Sequence, residues 1–297
     1  MNWITKALKF GEKIKRVIRK RATKEEIANS DWMPSCCGSS PILKSSIFND
    51  EQMNTCPKCE KHYPLSPRKR FDHFYGKNNW TEISTPKIPD DPLQWPEDVY
   101  KKKLINARKL TGQQCSVLVA QGIKDGIGIT SFAINSAFIG GAISVDSAEA
   151  ILTACQTAIS NNNPLVAWSE GGGQIMFESA LSLQGMARTV IGINTLKSNN
   201  LPFINCYTNK CYGGISASFA ALGDVAFAEK STMIGFAGQA IVKNQTREEL
   251  PPGFQTSSEL LRTGFLDGEF HRKEINEKIM TILSILLKKN SAINSTV

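Results

Sequence analysis

From Asn205 to Gly238 the chain reads NCYTNKCYGGISASFAALGDVAFAEKSTMIGFAG, and its chemistry centres on the pair Gly213-Gly214. Glycine adopts backbone conformations that other residues avoid and lets a ligand approach the main chain. The apolar run ending at Cys206 predicts a buried strand leading into the pair. The small-residue segment ISASFAALGD predicts the start of a tightly packed helix after it. Strand, glycine pair and helix start together would aim unpaired N–H groups, and the positive end of a helix, at an anionic oxygen. Alone, such a pair is only a tight turn; the sequence that flanks it changes the odds. The three histidines, His62, His73 and His271, sit in no triad-like setting.

A second constellation is built from cysteines. Cys56 and Cys59 form a CxxC knuckle, and 18 residues separate Cys37 from Cys56. This gap suits a tetrahedral zinc ribbon. The first knuckle is irregular, because Pro34 stands three residues before Cys37 where a ligand is expected and Cys36 is its immediate neighbour. Neighbouring cysteines usually point apart. Three arrangements stay open: a distorted site of Cys36, Cys37, Cys56 and Cys59; a three-cysteine site completed by His62 or water; or a ribbon without metal. Cys115, Cys155 and Cys206 read as buried thiols, and Cys211 reads as exposed beside the glycine turn.

Positioning these groups requires strands and helices in alternation. CSVLVAQGIKDGIGITSFAIN predicts a hairpin turning at Lys124-Asp125-Gly126. Helices are expected over Val99–Leu110, Ser147–Ser160 and Phe177–Lys197, with a strand at Pro164–Trp168. Periodicity gives an α/β fold with glycine turns.

The 297 residues are 41% apolar, enough for a sizeable core, and no apolar run reaches the length of a membrane span. The net charge of +8 is local. Residues 1–24 hold nine bases and one acid, leaving 26 bases against 26 acids elsewhere. The leader therefore predicts a basic amphipathic helix or a solvated tail; a membrane surface, RNA, an acidic partner or a targeting role are its other readings. Eight cysteines without a signal peptide suggest a reducing, cytoplasmic setting.

The blocks GGISASFAALGD (Gly213 to Asp224), IGFAG (Ile234 to Gly238) and REELPPGFQTSSELLRTGFLDG (Arg247 to Gly268) resemble the β subunit of bacterial acetyl-CoA carboxylase carboxyltransferase. The resemblance runs from about Trp32 to about Leu287 and includes Tyr100 to Gly112. It implies a crotonase-like spiral of stacked ββα turns behind a zinc-ribbon-like module. The expected division is a leader at 1–30, the ribbon at 31–66, the carboxyltransferase domain at 67–290 and a tail at 291–297. It also implies transfer of a carboxyl group from carboxybiotin, on a separate carrier protein, to the CoA thioester acetyl-CoA, giving malonyl-CoA for fatty acid synthesis. Gly213 and Gly214 would be oxyanion-hole donors. Gly140, Gly141, Gly172, Gly173, Glu178 and Gly238 would line the substrate, and Cys36, Cys37, Cys56 and Cys59 would hold zinc. An α subunit would complete an α2β2 assembly and supply a second oxyanion hole, within a larger ATP-dependent complex containing biotin carboxylase.

Departures from the family pattern fall on the same loops. Ile175 and Gln239-Ala240 stand where arginines are expected, and Ser144 replaces the last glycine of a GGSMG turn. Asn209-Lys210-Cys211-Tyr212 differs from the family's D-P-T-[MT]. A rival reading is therefore a binding or regulatory β-like subunit without turnover. Another is RNA binding through the leader and ribbon, which would weaken steeply with salt.

Overall fold

The computed structural model of the protein describes residues 31–38 and 41–287. The leader at 1–30 and the tail at 291–297 lie outside the described residues. The chain divides after Cys59 into two units. In the smaller one, β1 (Trp32–Met33) pairs antiparallel with β2 (Ile42–Leu43), and a single 3-10 turn follows at Lys44–Ser46. So short a ladder is marginal on its own.

The larger unit opens with α1 (Pro67–Tyr75), β3 (Trp80–Glu82) and α2 (Val99–Thr111). Next comes the predicted hairpin of β4 (Val117–Lys124) and β5 (Ile127–Ile134), in register from Val117 opposite Ile134 to Lys124 opposite Ile127. Asp125 and Gly126 turn it with φ of 50° and 74°, the pairing that matches the twist of the flanking strands. Strand and helix then alternate: α3 (Val145–Ser160), β6 (Leu165–Gly171), α4 (Ala180–Ser198), β7 (Phe203–Cys211) and β8 (Val225–Glu229). The chain continues through β9 (Met233–Ile234), α5 (Gln239–Thr246), α6 (Ser257–Arg262), β10 (Gly268–Phe270) and α7 (Arg272–Leu286). The sheet runs β10-β8-β7-β6-β5-β4-β3, with β9 added to the end of β7. From β5 to β10 every neighbouring pair is parallel.

Side chains alternate across this sheet and build a core on each face. Leu165, Ala167 and Phe203 point toward α3 and α4, where Ala148, Ile151, Ala154, Ile193 and Leu196 meet them. Val166, Trp168, Ile204 and Cys206 point the other way, against Phe71 and Phe74 of α1 and Ile275, Ile279 and Leu283 of α7. Among the described residues, no helix is long and apolar enough to cross a membrane.

On the α7 side a charged cluster is sealed into the unit. Glu229, at the end of β8, is wholly buried. Arg70 of α1 donates to its Oε1 at 2.7 Å, and Arg272, the first residue of α7, donates at 2.9 and 2.6 Å. His62 Nδ1 stands 3.5 Å from the same carboxylate.

Three sequence expectations are corrected. The strand entering the glycine pair extends past Cys206 to Cys211. Cys211 is fully buried, not exposed, and burial pushes its thiol well above the ordinary range. No α-helix follows Gly214: residues 213–218 form turns, and Phe219–Leu222 is a short 3-10 segment. The cause is local. Ser216 Oγ donates to the carbonyls of Gly213 and Gly235 at 3.0 and 2.6 Å, while Asn205 and Tyr207 draw in the carbonyl of Ala220. Side-chain bonds of this kind compete with the helical ladder.

Candidate active site at the glycine turns

The loops after β5, β6 and β7 leave the sheet side by side at the carboxyl ends of parallel strands, the usual ligand face of such sheets. Their backbones touch. A Cβ built on Gly171 would fall 2.5 Å from the carbonyl oxygen of Gly141, and one on Gly213 would fall 2.6 Å from that of Gly172. One on Gly173 would lie 3.1 Å from the nitrogen of Gly214. No side chain fits at those points. Gly171, Gly173 and Gly213 also take φ of 124°, 118° and 64°. By contrast, Gly140 and Gly172 have nothing within 4 Å of an added Cβ and border open space. The structure thus brings Gly141, Gly172, Gly173, Gly213 and Gly214 together, with Gly140 at the margin. Gly238 lies against the Tyr212 ring, 3.8 Å from Cε2 by the same measure.

Hydrogen bonding separates the two members of the central pair. The Gly213 N–H donates to the carbonyl of Phe236 at 2.8 Å. The N–H groups of Gly214, Ile215 and Ser216 make no bond to another described residue. Gly214 is the one of these beside Gly173. Its own α-carbon is enclosed from two sides: an added Cβ would overlap Met186 Cε, lie 2.7 Å from Met186 Sδ and lie 3.0 Å from Gln174 Oε1.

Glu178 is placed differently. Tyr100 donates its hydroxyl to Oε1 at 2.7 Å, and the Val145 N–H donates to Oε2 at 2.6 Å. Burial pushes the carboxyl above its usual range, against the pull of those two donors. With both oxygens engaged, the residue anchors the loop after β6 to α2 and to the start of α3. Glu178→Ala orphans two donors and should cost about 1–3 kcal/mol in urea unfolding. Glu178→Gln should recover most of it; an alanine variant within about 0.5 kcal/mol of the parent would refute the anchoring role.

In the smaller unit, the thiols of Cys36, Cys37, Cys56 and Cys59 all lie within 4.8 Å of one another. Zn–S bonds of about 2.3 Å put tetrahedral sulfurs about 3.8 Å apart, so the four could hold a zinc ion. Cys36 joins the set because Cys36 and Cys37 occupy a turn, where neighbours need not point apart as in a strand. Burial raises the Cys56 thiol, but the backbone N–H groups of Cys59 and Lys58 and the thiols of Cys36 and Cys59 bring it below its ordinary value. That suits a metal ligand. His62 spends its contacts on Glu229 and on the N–H of Arg272.

A family model described as the carboxyl transferase domain matches residues 97–269. Over 297 residues the chain is 50% identical to the acetyl-coenzyme A carboxylase carboxyl transferase subunit beta of Pelagibacter ubique, covering 100% of this chain and 95% of that protein. The chain belongs to the acetyl-coenzyme A carboxylase carboxyl transferase subunit beta family. The Bartonella quintana member is 36% identical over 298 residues, with 99% and 94% of the two chains covered. Among solved structures, a Pseudomonas malonate decarboxylase hetero-tetramer in complex with malonate superposes with a TM-score of 0.61 at 19% identity, over 74% of this chain and 82% of that one. The last likeness concerns the fold alone, and it agrees with the crotonase-like expectation.

The departures of this family member are absorbed by its own packing. Ile175 is 5% exposed and packs with Tyr100, Leu104, Ala107 and Phe138, so it fills a core under α2. Gln239 donates to the carbonyl of Phe254 at 2.6 Å, and Gln255 donates to that of Ala237 at 2.7 Å, tying the turn at 235–238 to the segment before α6. Ser144 has φ of −93°, which needs no glycine, and its hydroxyl caps α3 by accepting from the Ser147 N–H. Sequence reasoning missed Gln174, Met186 and the Phe236 carbonyl. Gln174 sat in the quoted SEGGGQ turn and Phe236 in the IGFAG block; nothing in the sequence marks Met186.

Proposed function

We propose that this chain is the β half of a carboxyltransferase that moves a carboxyl group from carboxybiotin to the methyl carbon of acetyl-CoA, giving malonyl-CoA. The observation that carries it is the N–H of half-buried Gly214, without a partner among the described residues, at the junction of three glycine turns. Carboxybiotin, presented as a substrate on a separate carrier protein, would supply the carboxyl group and a base for the α-proton. The protein's part is to bind the thioester and hold an oxygen as it becomes anionic. A preoriented backbone N–H does this without reorganising and can contribute about 3 kcal/mol. Gly213 serves by locking the turn to Phe236; Gly140 and Gly172 leave room for the substrate chain.

An α subunit would supply the donors for the other developing oxygen, in an α2β2 assembly that works with the carrier and with biotin carboxylase in cytoplasmic fatty acid synthesis. The four cysteines would hold zinc as a structural ion. One zinc per chain is expected by elemental analysis, and Cys36→Ser should lose it as fully as Cys56→Ser. Full zinc in the Cys36 variant would reduce the site to three thiolates.

The reading is tested by mixing the chain with its α subunit, malonyl-CoA and biocytin, and following decarboxylation. Turnover by the assembled complex is expected. None, from a complex shown to be assembled and folded, would leave a binding subunit on a carboxyltransferase fold.

A further inference from the structure

We infer that Gln174 supplies a second, side-chain donor to the oxygen held by the Gly214 N–H; the inference rests on the carboxyltransferase reading of this site. The backbone around Gln174 is fixed on both sides. Ile143 donates to the Gly173 carbonyl at 2.9 Å, and Ile175 donates to the Ile143 carbonyl at 2.9 Å. Only the side chain is free to adapt. It is exposed, makes no hydrogen bond to another described residue, and lies over Gly214, with Oε1 3.0 Å from where that residue's Cβ would stand.

The turn needs such a group. The Gly213 N–H is spent on Phe236, so the glycine pair offers one donor where two were expected. Ile175, next in sequence to Gln174, is turned into the core, so it brings nothing polar to the loop. An amide rotates about its last torsion between two nearly equivalent wells, so Gln174 can present its NH2 where its oxygen now stands. A neutral donor beside a backbone N–H stabilises negative charge without introducing a counter-charge that would hold the ground state equally well.

The test uses the assembled complex in the malonyl-CoA decarboxylation assay. Gln174→Ala should lower kcat by about 10- to 100-fold, toward the lower end of the oxyanion-donor range because a side chain is less fixed than a main-chain amide, with KM within about threefold. Thermal unfolding should stay unchanged, since the side chain is exposed. Gln174→Glu keeps the shape but places a carboxylate against the oxygen. Its kcat should fall further than that of Gln174→Ala, because an exposed glutamate, with an ordinary pKa of about 4.3, is ionised at neutral pH and cannot donate. A Gln174→Ala kcat within twofold of the parent overturns the inference. So does an equal loss in both variants, which would mark a steric role. Loss in Gly214→Val without loss in Gln174→Ala refutes the donor role of Gln174 and leaves the carboxyltransferase reading intact. Full activity in both would also remove Gly214 from the chemistry, whereas the carboxyltransferase reading itself fails only if the assembled parent complex shows no turnover.

Discussion

Gly214→Val lowers the kcat of the assembled carboxyltransferase by at least about 100-fold while the complex remains assembled. Valine keeps the N–H, so the effect comes from where that N–H points. A Cβ at 214 overlaps the tip of Met186 and presses on Gln174, and both belong to the loop and helix that shape the turn. The backbone must shift to make room, and a misplacement of about 1 Å in a positioning group can cost about 100-fold. Alanine is the milder probe, because the atoms it meets first are the flexible end of a methionine. Gly214→Ala should therefore lose less, and pairing it with Met186→Ala should restore part of the loss. Valine should resist that rescue, since its methyl groups also meet Gln174. Decarboxylation kinetics and sedimentation of the complex check the series. A valine variant with more than about a third of parental kcat would remove Gly214 from the chemistry.

The second large effect is on stability. Arg272→Met should destabilise the larger unit by about 3–5 kcal/mol, because it strips a partner from a wholly buried carboxylate. In a domain of this size that is roughly a 10 °C fall in Tm. The Arg70→Met, Glu229→Leu, Arg272→Met triple variant, with no stranded charge, should lie well above the single variant. The cluster also sets an acid limit. Burial alone would raise the Glu229 carboxyl, but Arg272 and Arg70, with the His62 ring close by, hold it well below its ordinary 4.5. Since the folded value is the lower one, its contribution is complete above about pH 4.5 and is lost as pH falls from there toward the folded value. Thermal melts between pH 7 and pH 3 should show that loss in the parent and a shallower acid slope in Glu229→Gln. Equal slopes would mean that another carboxylate governs acid unfolding.

These effects also separate what sequence and fold contribute. Local chemistry was readable wherever a residue's constraint is its own. Asp125-Gly126 announced the hairpin because such a pair tolerates two positive φ values, and the apolar run from Pro164 to Trp168 announced a strand. Clustered glycines marked the loops where backbones would touch. The matched blocks from Gly213 to Gly268 carried the family. What the sequence left open were choices between neighbours. Gly213 and Gly214 are identical residues, and only Phe236, brought across by β9, takes up the first N–H, while the second has no partner among the described residues. Cys36 and Cys37 were judged by strand geometry, and a turn reversed that judgement. Ile175 stood where a cation was expected, and only the packing of α2 showed it facing the core, with Gln174 beside it exposed and close to Gly214. The helix expected after Gly214 failed because Ser216, Asn205 and Tyr207 claimed its hydrogen bonds. The sequence by itself determined the strands, the glycine turns and the family. The tertiary structure decided which glycine N–H is bonded, which side chains crowd Gly214 and which thiols meet, because each depends on a partner distant in the chain that no local pattern encodes.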